Sequence, residues 1–256
     1  MTDLNALLLT WHTALVLYAE GAALIFLRVG AVMATLPAFG EASIPARIRL
    51  VLALTFTAAI GPAAFPFVSD IPLTAGFAPE VAIGLILGLM VRLFVLCLLT
   101  AGSIAANATS LSQLFPAGAE AQPAISKLLV VTGLALAVGS GLHVRVLHYL
   151  LLGYDLFPAG HWPSAGLVAE WGVAQTGRAF ALAFMIAMPF VIASLIYNVA
   201  LGVINRAMPQ LMVTFIGAPA LSLGGLVLLL MVAPLALTVW LQALNGFLAA
   251  PAAPLP

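Results

Sequence analysis

Charged side chains are scarce in this sequence. Eight Lys plus Arg and eight Asp plus Glu serve 256 residues, 6% of the chain, against 64% hydrophobic residues. Soluble domains carry about a quarter charged residues, so the composition is that of an integral membrane protein. So few basic residues cannot build a nucleic-acid face, and no nucleic acid is expected as a partner. Cysteine is nearly absent as well. Cys97 is the only one, which excludes an intrachain disulfide framework and any CxxC redox or metal site. It lies in the apolar run after Arg92 and reads as a packing residue. Catalytic signatures are missing: the sequence has no GxxxxGK[ST] phosphate loop, no HExxH, no GxSxG elbow and no closely spaced carboxylate pair. No enzymatic activity, metal or cofactor is expected. His143 and His148 are five residues apart, about 140° around a helix, which does not present them as an i, i+4 metal pair. His12 and His161 adjoin Trp11 and Trp162 and fit the headgroup belt.

What the chain does have is long uncharged intervals. Arg49 to Asp70, Arg92 to Glu120, Arg178 to Arg206 and Arg206 to the last residue are free of formal charge, and Lys127 to Arg145 is nearly so long. A bilayer-spanning helix needs about 20 apolar residues. The intervals therefore predict an all-α membrane protein with about six hydrophobic helices, near 14–38, 48–67, 80–102, 126–152, 174–204 and 211–247. Proline and glycine punctuate them, with Pro72 and Pro79 bounding the second connection. The first twenty residues carry Asp3 and no basic residue, so no cleaved signal peptide is expected. The ending AAPAAPLP reads as a passive, frayed tail.

Basic residues segregate between connections. Arg47 and Arg49 sit between the first and second helices, Lys127 follows the third connection and Arg206 sits between the fifth and sixth helices, whereas the alternate connections hold Asp70, Glu80, Asp155 and Glu170. Cytoplasmic retention of Lys and Arg then places both termini on the opposite side.

Charges within apolar helices cost a few kcal/mol each and default to functional or paired positions. Four stand out: Glu20, Arg28, Arg92 and Arg178. Glu20 and Arg28 are eight residues apart, about 12 Å of rise, so a partner helix is needed to connect them. Arg92 and Arg178 lack a local acid, and are expected to pair across helices, face a wet cavity or snorkel.

Two segments depart from ordinary membrane helices. In SIAANATSLSQLFPAGAEAQPAISK, residues 103–127, an uncharged helical extension meets Gln113, Pro116, Gly118 and Pro123. Such backbone is tolerated at membrane depth only where protein or water satisfies it, which leaves a pore-lining or re-entrant loop and an interfacial connection as alternatives. In NVALGVINRAMPQLMVTFIGAPALSLGGL, residues 198–226, Asn205, Arg206, Pro209 and Gln210 form a polar tip between two apolar arms. Gly217, Pro219, Gly224 and Gly225 in the second arm permit close helix approach.

With these stretches the chain resembles the FliR family of flagellar biosynthetic proteins, whose counterpart in virulence injectisomes is the SctT family. The likeness lies in FLRVGAVMATLPAFGEASIPARIRLVLAL at 26–54, with Arg28, Pro37, Ile44, Pro45 and Arg47; in the connection from Ala101 to Pro123; and in NVALGVINRAMPQLMVTFIGAPALSL, with Asn205, Arg206, Pro209, Gln210, Gly217 and Pro219. The connection carries SQLFPAGAEAQP where the family has a Phe-x-Asp-Pro type sequence.

The resemblance implies a multi-pass subunit of the type III export gate in the bacterial inner membrane, surrounded by lipid and assembled with FliP-like, FliQ-like and FlhB-like subunits. Unfolded secreted proteins would pass through that gate. It further implies a FliP-like part over 1–170 and a FliQ-like hairpin over 171–256. The connection at 103–125 would plug the channel, with Leu111, Gln113, Leu114, Phe115, Pro116 and Gly118 as plug residues. Asn205, Arg206, Pro209 and Gln210 would contact neighbouring subunits at the cytoplasmic entrance. Energy would come from the proton motive force and a separate ATPase. The alternative is a self-sufficient secondary transporter or ion channel with Glu20, Arg92 and Arg178 forming a solute site.

Overall fold

The computed structural model describes residues 2–41, 44–109, 124–207 and 213–252, without side chains at 2–10 and 213–219. These residues form seven helices: α1 Thr2–Thr35, α2 Ala46–Val68, α3 Leu73–Ala108, α4 Ala124–Gly139, α5 Leu142–Leu156, α6 Ala165–Ala207 and α7 Val213–Ala249. Helix is the form in which each segment can satisfy its own backbone groups in lipid. Five of the helices are long and apolar enough to span a bilayer, and the α4 and α5 pair makes a sixth span if counted as one.

Two differences from the sequence expectation matter. The run expected as one helix over 126–152 is two, broken at Gly141, whose φ of 90° lies in the left-handed region that glycine alone adopts without strain. Helix α3 begins at Leu73 rather than near residue 80. Pro79 had read as a boundary, but membrane helices tolerate an internal proline when neighbouring groups take up the freed carbonyl. Glu80 therefore stands two turns inside a helix and not in a connection.

The chain divides into two compact units. The first comprises Met1–Arg92, Gly141–Val173 and Asn245–Pro256, and the second Leu93–Ser140 and Ala174–Leu244. In the first unit α1 runs antiparallel to α2: Tyr18 stacks on Phe65 with ring centroids 4.7 Å apart, while Phe39 meets Phe56 at 6.2 Å. Helix α3 runs parallel to α1, since Leu24 packs at Gly76, Arg28 at Glu80 and Thr35 at Gly88. On α3 the contacts fall at every fourth residue, Gly76, Glu80, Gly84 and Gly88, which is one stripe of a helix face. Glycine there lets the helices touch: a Cβ at Gly84 would strike the carbonyl oxygen of Arg28. Leu24, Ile25, Val29, Val32, Met33, Ile83 and Leu87 fill the core around this seam.

The C-terminal end belongs to the first unit and is not passive as far as Pro251. Phe247 lies between Tyr149, at 5.6 Å, and Trp171, at 6.1 Å, and Trp171 also meets Phe157 at 5.9 Å. The indole Nε1 of Trp171 donates to the Pro251 carbonyl at 3.0 Å, and Pro251 is buried. A proline-rich ending denies helix but not docking. In the second unit Trp240 is fully buried and donates from Nε1 to the Phe94 carbonyl at 2.8 Å. Gly133 lets Leu98, Leu237 and Trp240 close around it.

The Trp171 bond can be separated from its ring packing. Trp171→Phe keeps an aromatic ring and removes the donor, costing about 1–3 kcal/mol for the buried carbonyl left unpaired, whereas Trp171→Ala should cost about 3–5 kcal/mol. Melting midpoints of the purified protein test this. Equal losses for the two variants would assign the stabilisation to the N–H and not to the ring.

Candidate functional site

Arg28 is the most demanding residue of the first unit, because a guanidinium inside an apolar helix needs every donor placed. It is 0% exposed. Its Nε donates to Glu80 Oε2 at 2.6 Å and its Nη2 to Glu80 Oε1 at 3.0 Å, the two-pronged pairing that suits a planar fork. Nη1 donates to the Gly153 carbonyl and Nη2 to that of Phe157, both at 3.1 Å. Those carbonyls close the C-terminal end of α5, where a cation is favoured by the helix dipole. The guanidinium carbon lies 3.8 Å from the ring centroid of Tyr154, whose other neighbour, Phe67, stacks at 5.3 Å. Glu80, also 0% exposed, accepts a further bond from the Gly160 amide at 3.0 Å. One ion pair thus joins α1, α3, the end of α5 and the turn that follows it. The Tyr154 hydroxyl has no hydrogen-bond partner among the described residues.

Sequence reasoning missed Glu80 and Tyr154. The available signal for Glu80 was its place in the four-residue spacing of Gly76, Gly84 and Gly88, which marks the face a neighbouring helix approaches. Glu20 acts elsewhere. Its Oε2 accepts the Leu73 amide at 3.3 Å, a carboxylate at a helix N-terminus. Arg92 stands 19 residues along α3 from Leu73, about 28 Å of rise, so Glu20 and Arg92 do not converge on one site. Arg92 and Arg178 are half-buried, and neither forms an ion pair among the described residues.

Leu111, Gln113, Leu114, Phe115, Pro116 and Gly118 lie outside the described residues, as do Pro209 and Gln210. Asn205 and Arg206 are exposed at the end of α6. The flanks of the connection after α3 are tied by hydroxyl hydrogen bonds. Ser103 Oγ lies 3.2 Å from Ser126 Oγ, and both hydroxyls reach the Leu99 carbonyl, at 2.8 and 3.2 Å respectively. Thr109 is buried against Gly225. Beside it a cleft of about 290 Å³ is lined by Thr109, Ser194, Tyr197, Leu221, Gly224 and Met231 among others.

Comparison with known proteins brings these parts together. Residues 20–247 match the family described as bacterial export proteins, family 1. The chain is 34% identical over 216 residues to the flagellar biosynthetic protein FliR of Caulobacter vibrioides, covering 81% of this chain and 86% of that one. It is 30% identical over 218 residues to the flagellar biosynthetic protein FliR of Escherichia coli, covering 82% of each. The flagellar biosynthetic protein FliR of Aquifex aeolicus is 28% identical over 228 residues, with 83% of this chain and 84% of the relative aligned.

The ion pair gives a sharp mutational signature. Arg28→Leu or Glu80→Leu alone leaves a buried charge without its partner and should cost about 3–5 kcal/mol, with loss of protein from the membrane. The double variant removes both charges and should recover part of that loss, short of full recovery because the Phe157 carbonyl loses the guanidinium donor and the Gly153 carbonyl keeps only the Phe157 amide. Immunoblots of membrane fractions measure this, and a double variant no better than either single one would show that the coupling is not ionic.

Proposed function

This chain belongs to the bacterial export proteins, family 1, and we infer that it works as a non-enzymatic, multi-span subunit of the flagellar or type III export apparatus, in the bacterial inner membrane. The observation that carries this is the extent of the match, residues 20–247, which takes in the buried ion pair, the connection after α3 and the polar hairpin tip in one alignment. Its substrates are unfolded proteins leaving the cytoplasm. Its partners are FliP-like, FliQ-like and FlhB-like subunits, with the part up to residue 170 FliP-like and the part over 171–256 a FliQ-like hairpin.

Helix length supports a subunit over a self-sufficient transporter. Helix α6 has 43 residues and α7 has 37, about 65 and 55 Å of rise, against a hydrocarbon core of about 30 Å. No formal charge follows Arg206. To bury all of α7 in lipid the helix would have to tilt by about 57°, outside the usual range of about 0–40°. Neighbouring helices cover the surplus more readily than tilt does. Large apolar side chains such as Leu195, Leu230 and Met231 are 63%, 78% and 73% exposed, a surface for such neighbours and for lipid.

In this reading the connection at 103–125 plugs the channel, and Leu111, Leu114 and Phe115 supply the apolar constriction that excludes water and ions. Pro116, Gly118 and Pro123 disfavour a long regular helix there, which would ease displacement by a translocating chain. Asn205, Arg206, Pro209 and Gln210 meet adjoining subunits at the cytoplasmic entrance, with Arg206 the stronger contact because its charge and five donors exceed what the Gln210 amide offers.

Two experiments test the proposal. Expressed alone, the chain should be degraded or aggregate, and co-expression with the three partner subunits should rescue it; a monodisperse monomer that transports a small solute in vesicles would overturn the gate. Deleting residues 111–118 should leave complex yield near normal, because connections carry little of a core, while raising membrane conductance. Normal yield with a tight membrane would remove the plug from the proposal and leave the assembly role standing.

A further inference from the structure

The first unit holds five arginines, and the four besides Arg28 stand at one depth. Helix packing gives the levels. On α2, Phe65 packs at Gly21 of α1, and Arg49 and Arg47 lie 16 and 18 residues back along the chain, about 24 and 27 Å from that level. On α3, Gly76 packs at Leu24, three residues beyond Gly21, and Arg92 lies 16 residues further, about 28 Å from the same level. Helix α5 runs antiparallel to α3: the Tyr149 hydroxyl donates to the Leu87 carbonyl at 3.0 Å, and further along the chain the Gly160 amide donates to Glu80 at 3.0 Å. Leu87 is 11 residues beyond Gly76, so Arg145, four residues before Tyr149, comes to about 27 Å. Four charges on three helices thus fall within about 5 Å of depth. Glu41, in the turn between α1 and α2, is the acid at that end, and the layer is net positive.

None of the four has an ion pair or a side-chain hydrogen bond with a described residue. Arg47 is exposed and the others are half-buried, and the Nε of Arg49 is buried with no partner. Their neighbours in the chain are apolar and exposed: Ile48, Leu50 and Val51 on α2, and Val144 on α5. A guanidinium whose stem lies along exposed apolar surface belongs where hydrocarbon meets water, since the same charge deeper in lipid is expensive. An acidic protein partner is suited to charges gathered on one face. Charges that share a depth on separate helices are suited to a plane of phosphates, and the planar fork of each arginine takes two phosphate oxygens at once.

We propose that Arg47, Arg49, Arg92 and Arg145 bind the headgroup phosphates of anionic phospholipids, so that the first unit carries a retained belt of such lipid at this depth. Nothing in this depends on the connection after α3 or on the gate.

The belt is tested on the full chain, extracted from membranes in mild detergent with whatever assembles with it there. Phosphatidylglycerol and phosphatidylcholine with the same acyl chains are titrated in, and bound lipid is counted by native mass spectrometry. The parent should bind phosphatidylglycerol the tighter, and the preference should shrink as salt screens it. At about fivefold per arginine, Arg92→Gln with Arg145→Gln should weaken phosphatidylglycerol binding about 25-fold, and Arg47→Gln with Arg49→Gln likewise. Arg92→Lys with Arg145→Lys keeps the charge and should keep most of the preference. Equal binding of the two lipids by the parent overturns the proposal, and that comparison needs no variant to fold. Gln variants that keep the parental preference also overturn it, and if they lose a protein that stays with the parent, the layer is a protein contact. Loss of the preference on adding inorganic phosphate would assign the layer to the free ion and not to lipid.

Discussion

A guanidinium in an apolar helix imposes a geometric demand that few surroundings meet, and the first unit is organised by how Arg28 meets it. The carboxylate of Glu80 takes two of its N–H groups, and the carbonyls of Gly153 and Phe157 take two more. Supplying those acceptors fixes three things at once: the register of α3 against α1, the point at which α5 stops, and the path of the turn through Gly160. The glycines at 76, 84 and 88 follow from the same demand, because Glu80 reaches Arg28 only if the two helix backbones lie close. Desolvating two charges is costly, and the pairing is tolerated here because both groups are fully hydrogen-bonded in one geometry. In a chain built of apolar helices, a pairing that tells one helix face from another has evident use.

The second constraint is length. Helices of 36, 43 and 37 residues are longer than a bilayer requires, and half of the most apolar stretch of α3 is buried within the chain against 28% for the corresponding stretches of α6 and α7. The hydrophobicity of α3 is therefore answered largely by the chain itself. That of α6 and α7 is answered by whatever surrounds them, which is the position of a subunit in an assembly.

How much of this was legible in the residues varied with the kind of signal. Helical class and the number of spans, five or six, followed from long uncharged intervals, because charge in lipid is expensive enough to keep most of each helix free of it. The NRAMPQ tip and the stretch from Phe26 to Leu54 were specific enough to point to the family. The partner of Arg28 was not legible. Pro79 looked like a terminator and moved Glu80 into a connection, since a proline's tolerance depends on neighbours that a linear reading cannot see. The break at Gly141 was hidden for a related reason: an isolated glycine in an apolar run is compatible with a continuous helix, and only its positive φ shows that the helix ends. The docking of Pro251 depended on Trp171, 80 residues away in the chain, and no local pattern predicts a contact of that span. Of the candidate site, the charges at Glu20, Arg28, Arg92 and Arg178 could be found as residues, whereas their separation into a helix cap, a hub and two half-buried cations required the fold.

The aromatic socket at the C-terminal end bears on the order in which the protein can be made. Phe247 and Pro251 complete a unit whose other walls, Tyr149, Phe157 and Trp171, leave the ribosome much earlier. At about 5–20 residues per second, synthesis from residue 171 to residue 247 takes on the order of 4–15 s. During that interval the socket stands open in a chain already committed to the membrane. A nascent chain stalled or cut in α7 would leave the Tyr149 and Trp171 ring faces without Phe247 beside an intact ion pair, so the first unit closes only once Phe247 and Pro251 have been added.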